Sequence, residues 1–377
     1  MRRIHSDLLV IGSGIVGLAH AWAAASRGMS VTVLEKNDRC TGASIRNFGF
    51  VTVTGQRAGT TWQRARRSRE IWAEIAPQAK IPVCQTGLWV LGRRPETGPV
   101  LEAFAASDMG EGCRLYSAAE LSERAPYLRS QTAWGGLYSP HELRVESVTA
   151  IPQLAKWLSD QLGVRFFFGQ EALELDVGRV NCANASFGAE RVVLCPGTEL
   201  AGLAAPYLAG HGLGLTQLQM MRLVPRNNAR LPSAVMSDLS LARYAGYTGL
   251  GVHQPLLARL QEEQPEALAA GVHLIVVQGL DGSLVVGDSH HPAQDVLPFV
   301  DSDINAIILR EMGETLDIGE CGLAAMWLGW YPVGGTDDAL VLAPHPSLRV
   351  VTVTSGTGAS TAFGLAEEVI ETWIGNL

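Results

Sequence analysis

The sequence predicts an α/β protein: a parallel sheet covered by helices, joined to a second, α+β lobe built on a mainly antiparallel sheet. Three observations predict it. The chain opens with a glycine-punctuated strand–turn–helix–strand unit, "DLLVIGSGIVGLAHAWAAASRGMSVTVLEK". A second glycine loop, in "LRVVTVTSGTGASTAFGLAEEVIETWIGNL", joins an apolar strand to an amphipathic helix near the C-terminus. Between them lie runs of alternating polarity, such as "LGLTQLQMMRLVP", "GVHLIVVQGL" and "GSLVVGDSHH", which suit antiparallel strands.

The N-terminal unit reads as strand 7–11, a glycine turn, a helix over about 15–27, a loop at Gly28 and a strand Val31–Glu35. This context turns the bare pattern GxGxxG into a Rossmann-like dinucleotide fingerprint. Gly12 permits the tight turn, Gly14 lets backbone approach a pyrophosphate, and Gly17 lets helix and strand pack closely. The helix then begins at Ile15 and Val16, where unpaired N–H groups and a partial positive charge face the phosphates. Glu35 follows about 20 residues on, where a carboxylate accepts the ribose hydroxyls and would repel a 2′-phosphate. An export signal would need an unbroken apolar core, and the glycines interrupt it. NAD and FAD share this fingerprint, so these residues leave the choice open.

The remaining composition sets bounds. At 377 residues the chain has room for two lobes, and a formal charge of −8 disfavours a nucleic-acid partner. The six cysteines lie far apart with no CxxC pair, which fits a reducing, cytoplasmic setting. No metal-ligand cluster is legible: His290 and His291 are adjacent, and neighbours on a strand point to opposite faces. No transmembrane stretch is expected. In "TTWQRARRSREIWAEIA", Arg64, Arg67 and Glu70 recur at helical spacing and read as a solvated face. In the middle of the chain, "AERVVLCPGTEL" gives an apolar strand, 191–195, ending in Pro196-Gly197.

A dinucleotide unit at the start with a glycine-loop helix at the far end resembles the FAD-dependent amine oxidase superfamily of D-amino-acid, glycine and sarcosine oxidases. The resemblance spans the chain. It implies an FAD domain assembled from 1–80, 141–215 and 325–377, with a substrate domain from 81–140 and 216–324. It also implies that "TGASIRNFGFV", with Ser44, Arg46 and Asn47, passes over the flavin after the ribose-binding Glu35 and its neighbour Lys36. Ala172 in "GQEALELD" matches a position whose backbone meets the adenine, and Pro196 and Gly197 lie at the middle piece's turn. "SGTGAST", with Gly356, Gly358, Ala359, Ser360 and Thr361, matches the loop at the pyrimidine edge of the ring. No cysteine stands where sarcosine-type enzymes tether the flavin, and Gly329 lies near that place, so non-covalent FAD is expected.

The family's amino-acid oxidases carry an Arg-Pro pair whose arginine grips the substrate carboxylate; here Trp330 and Tyr331 precede Pro332. "ASIRNFGFVTVTGQ", "LQMMRLVP" and "VVGDSHH" are similar to a subgroup associated with phosphonate breakdown, which implies 2-aminoethylphosphonate or its N-methyl derivative as substrate. Candidate contacts for that anion are Arg46, Gln219, Arg222, His290 or His291, and Tyr331, with Trp330 as an aromatic wall. Tyr244 and Tyr247, in "ARYAGYTG", read first as a structural loop, with a lid over the site as the alternative. The expected reaction is oxidation of a C–N bond by flavin with imine hydrolysis to an aldehyde, electrons passing to oxygen or another acceptor. Alternatives are a glycine, sarcosine or D-amino-acid oxidase or dehydrogenase, an NAD-dependent dehydrogenase, and a flavoprotein that only binds a partner.

Overall fold

A computed structural model describes residues 4–295 and 297–375. The first sheet has the spatial order Ala339–His345, Leu348–Val353, Ser186–Leu194, Ile4–Ile11, Val31–Glu35, Arg165–Phe168. From Leu348–Val353 onward every neighbouring pair is parallel, and Ala339–His345 closes the edge antiparallel. The start, middle and end of the chain therefore lie side by side. Val31–Glu35 is buried at every residue, as an apolar run covered on both faces must be. Along Ile4–Ile11 the period of two divides the side chains: Leu8 and Val10 enter one core, Leu9 another on the opposite face.

Four helices cover the Leu8 face: Ile15–Ala25, Thr60–Gln78, Ser147–Leu162 and Gly358–Ile374. Phe363 of the last meets Trp22 and Trp72 edge to face, with ring centroids 5.4 and 5.3 Å away. Gly364 brings two helices together: a Cβ there would lie 2.7 Å from the Arg64 carbonyl oxygen. Beside it Arg64 pairs with Glu368, and Arg67 with Glu367 and Glu70. The face expected to be merely solvated is thus an ion-paired seam between helices.

The second sheet is mixed and mainly antiparallel, with Ala234–Met236 and Val83–Gly92 as a parallel pair. Its longest pairing joins Gly214–Pro225 to Cys321–Val333. The lobe boundary expected at 325 therefore falls inside one strand, because a continuous ladder carries the second sheet on to Val333. Phe50–Val51 and the end of Gly135–Val145 also pair in this sheet. No described helix is long and apolar enough to cross a membrane.

Candidate active site

The first strand runs out at Gly12, whose φ of +103° suits glycine. A Cβ at Gly12 would lie 2.5 Å from the Cys195 carbonyl oxygen, and one at Gly17 would lie 1.9 Å from the Gly12 carbonyl oxygen. At Gly14 an added Cβ would meet the Ser44 hydroxyl at 3.1 Å and, beyond its own chain neighbours, no other atom of the described residues within 4 Å. That hydroxyl accepts the Ile15 N–H at 2.9 Å, so the loop after the second strand is fixed to the helix N-terminus. Glu35 is held by the Ser13 N–H and hydroxyl on one oxygen, at 3.0 and 2.9 Å, and by Asn37 on the other. Lys36 is drawn aside by Glu199. The segment leading to Ala172 lies alongside, with the Gln170 N–H donating to the Glu35 carbonyl at 2.9 Å.

From this helix N-terminus a cavity of about 470 Å³ runs toward the second sheet. Ile15, Val16, Ser44, Arg46, Asn47 and Gly197 line its near end; Gly356, Gly358, Ala359 and Ser360 line its flank. The C-terminal loop thus meets the N-terminal helix: a Cβ at Gly358 would stand 3.7 Å from Ile15. Ser360 accepts the Thr52 N–H at 2.9 Å. Asn47 ties its own loop, donating to the Ala43 carbonyl and accepting from the Gly49 N–H and the Ser147 hydroxyl. Arg46 turns its Nε to the Thr41 carbonyl, 3.0 Å away. The Thr361 hydroxyl is engaged within its helix, donating to the Thr357 carbonyl at 3.0 Å. Pro196 does not line the cavity, although the adjoining Gly197 does.

The far end gathers Arg243, Tyr244, His273, Asp288, His290 and Tyr331, with Trp330 beside them. His273 and Asp288 exchange both backbone hydrogen bonds at 3.2 Å where the hairpin Ile275–Gln278 and Leu284–Gly287 closes. Their side chains meet, His273 Nδ1 lying 3.2 Å from Asp288 Oδ1, and His290 Nε2 lies 3.7 Å from Asp288 Oδ2. Nitrogen and carboxylate oxygen atoms of these three residues lie within 4.8 Å of one another, a grouping that sequence spacing does not show. A hairpin pairing unites residues 15 positions apart. Burial pushes the Asp288 carboxyl up to about 7, with Arg243 pulling it partly back. Burial, with Arg243 nearby, holds both imidazoles well below their usual range, so they are neutral at neutral pH. Burial also raises Tyr244, and pushes Tyr331 up to about 12, leaving both hydroxyls protonated donors.

Two expected contacts lie elsewhere. Leu218 and Met220 line the cavity, so Gln219 points to the other face of its strand, where it binds Asn305 and the Asp301 backbone. Arg222 lies past the cavity, taken up by Glu146 and Ser283. Tyr247 is fully buried in the second core and is no lid, whereas Tyr244 does line the cavity. Arg243, His273 and Asp288 carry no individual signal in the sequence; Arg243 stands beside the tyrosines of "ARYAGYTG" with nothing local to mark it as facing a cavity.

The cradle fits an elongated dinucleotide. Cβ-free backbone at Gly14 and Gly358 meets a helix N-terminus, and among the described residues lining the cavity none is cysteine. In curated relatives, 77 residues are 39% identical to 4-oxocyclohex-2-ene-1-carboxylate 5-dehydrogenase of Sinomonas cyclohexanicum, covering 20% of this chain and 13% of that protein. Over 201 residues the chain is 20% identical to monomeric sarcosine oxidase of Bacillus sp. (strain B-0618), covering 51% of each. The matches thus span about half or less of those relatives. The glycine oxidase structure from Bacillus cereus ATCC 14579 superposes with a TM-score of 0.79 at 16% identity, covering 99% of this chain and 96% of that one, a likeness of fold. Residues 7–372 match the family described as FAD dependent oxidoreductase; the chain belongs to that family, and its dinucleotide is FAD.

Proposed function

We propose that this protein oxidises the C–N bond of a small primary or secondary amine bearing an anionic group. The preferred substrate is an aminophosphonate, 2-aminoethylphosphonate or its N-methyl derivative, and hydrolysis of the imine releases an aldehyde with ammonia or methylamine. Arg243 carries this reading. Arg243 lines the cavity beside the Tyr331 hydroxyl and, among the described residues, takes part in no ion pair within 4.0 Å, so its charge is available to a ligand anion. The hydroxyls of Tyr331 and Tyr244 stand at the same end as further donors to an anion's oxygens. Bound non-covalently in the cavity, FAD supplies the two-electron oxidation at the carbon beside nitrogen, and oxygen or another acceptor regenerates it. Arg46, Trp330 and His290 also line this cavity.

A second reading has a specific support. Tyr331 replaces the family's carboxylate arginine, but Arg243 brings a guanidinium to the same cavity from another segment. A planar fork suits a carboxylate as well as a phosphonate, which keeps glycine, sarcosine or a D-amino acid in play. Anaerobic bleaching of the flavin by 2-aminoethylphosphonate, N-methyl-2-aminoethylphosphonate, glycine, sarcosine and D-alanine separates the two. Aminophosphonates are expected to bleach it. Arg243→Met should retain flavin absorbance and raise KM about 100-fold, the cost of stranding a charged partner. Bleaching by the amino acids alone would replace the aminophosphonate with the second reading; bleaching by none of the five would end the amine reading.

A further inference from the structure

We propose that Asp288, held between His273 and His290, takes the proton of the substrate's ammonium group before the C–H bond is broken. The inference rests on the amine reading and names the base it requires.

His290 Nδ1 lies 3.1 Å from the Gly271 carbonyl, which only accepts, so Nδ1 carries the hydrogen. Nε2 is then a bare lone pair, and it faces Asp288 Oδ2 at 3.7 Å. On the other side His273 Nε2 pairs with the Tyr244 hydroxyl at 3.3 Å. His273 Nδ1 and Asp288 Oδ1, 3.2 Å apart, are misaligned, and each is buried without a hydrogen-bond partner. Buried polar atoms are seldom left so. Asp288 Oδ2 and His290 Nε2 face each other as two acceptors with no hydrogen between them, and an ammonium N–H is a donor of the right size and charge for that place. Arg243 stands at the same end of the cavity, so a small zwitterion whose anion and ammonium are a few bonds apart can meet Arg243 with the one and Asp288 with the other.

In the step, one ammonium N–H bond breaks with its electron pair staying on nitrogen, and an O–H bond forms on Asp288 Oδ2. Carboxylate and ammonium are replaced by carboxylic acid and neutral amine, so charge balances. That amine then has the free lone pair that C–H oxidation demands. Arg243 and Tyr244 face Asp288 from the segment after Asp238–Ala242, Tyr331 faces it from Cys321–Val333, and His291 acts from beyond His290. With the Asp288 carboxyl near 7, a base of this strength works at neutral pH.

The test is the pH dependence of anaerobic flavin reduction by the best amine of the panel. Wild type should speed up as pH rises through about 7, because below it Asp288 already holds a proton. Asp288→Asn should lose that limb and be about 100-fold slower at pH 7.5. It should approach wild type above the substrate's own amine pKa, where free amine enters without needing a base. A merely structural role would not recover with pH. Asp288→Glu should keep the limb. His290→Gln puts an amide donor beside Oδ2 and should move the limb down by about one pH unit. A limb near 7 that survives Asp288→Asn, or a deficit unchanged at high pH, overturns the inference. Should Asp288→Asn fail to load flavin, an unmoved limb in His290→Gln overturns it. A wild-type flavin that bleaches with no limb near 7 sinks this proposal alone; one that no amine bleaches sinks the amine reading beneath it.

Discussion

A methyl group at Gly17 has nowhere to go, since the atom it would strike, 1.9 Å away, is the Gly12 carbonyl oxygen and belongs to backbone. The helix would have to lift from the strand, moving the N–H groups of Ile15 and Val16 away from the cavity. Gly17→Ala is therefore expected to purify without the yellow visible absorption of bound flavin, and normal absorption would contradict this. Such glycines were legible because fingerprint and consequence lie within a few residues of each other. Arg243 was not: it is one of 29 Lys and Arg residues, and only long-range folding decides which of them faces a cavity. Arg222 shows the converse. Strand alternation puts it on the face of Leu218 and Met220, but the cavity ends before it and Glu146 takes its charge.

The short 3₁₀ segment Asp238–Ala242, immediately before Arg243, explains how that guanidinium is aimed. Asp238 is wholly buried and accepts from the Arg93 and Arg94 N–H groups at 3.1 and 3.4 Å and from Arg94 Nη1 at 2.9 Å. Arg94 is itself buried and keeps Glu263 at 2.7 Å, so Asp238→Ala removes one of its two carboxylates and leaves the Arg93 and Arg94 N–H groups without an acceptor, which should cost about 1–3 kcal/mol. The expected signs are a lower urea midpoint and a raised KM for the amine, because the support under Arg243 loosens. An unchanged midpoint would show that Glu263 alone suffices to hold Arg94. Element types were legible wherever periodicity was strong, as in Val31–Glu35 and Gly214–Pro225. Extents were not. Cys321–Val333 carries one ladder past the expected lobe boundary, because pairing with a distant strand, rather than its own pattern, sets its length.

Taken whole, the chain places its beginning, middle and end in one parallel sheet, and this was legible because each piece carries a strand or glycine loop of its own. The joint between lobes was not, since it depends on pairings such as Phe50–Val51 with Arg144 and Leu143. The cavity follows that joint. One wall is the first lobe's glycine loops, and the other is the second sheet at Met220, Ile275 and Tyr331. A cofactor lying along it touches both lobes, so FAD should stabilise the entire fold against unfolding. Mass action sets the size: at a free FAD concentration 100 times its Kd, stability should rise by about 2.7 kcal/mol. Apoprotein prepared by stripping the flavin should melt below the holoprotein, and its Tm should climb steadily with the logarithm of added FAD. NAD, which has no flavin ring, should leave Tm nearly unmoved. A Tm indifferent to FAD would mean that the two walls do not close on one ligand. A rise confined to one of two separate transitions would place the cofactor in the first lobe alone.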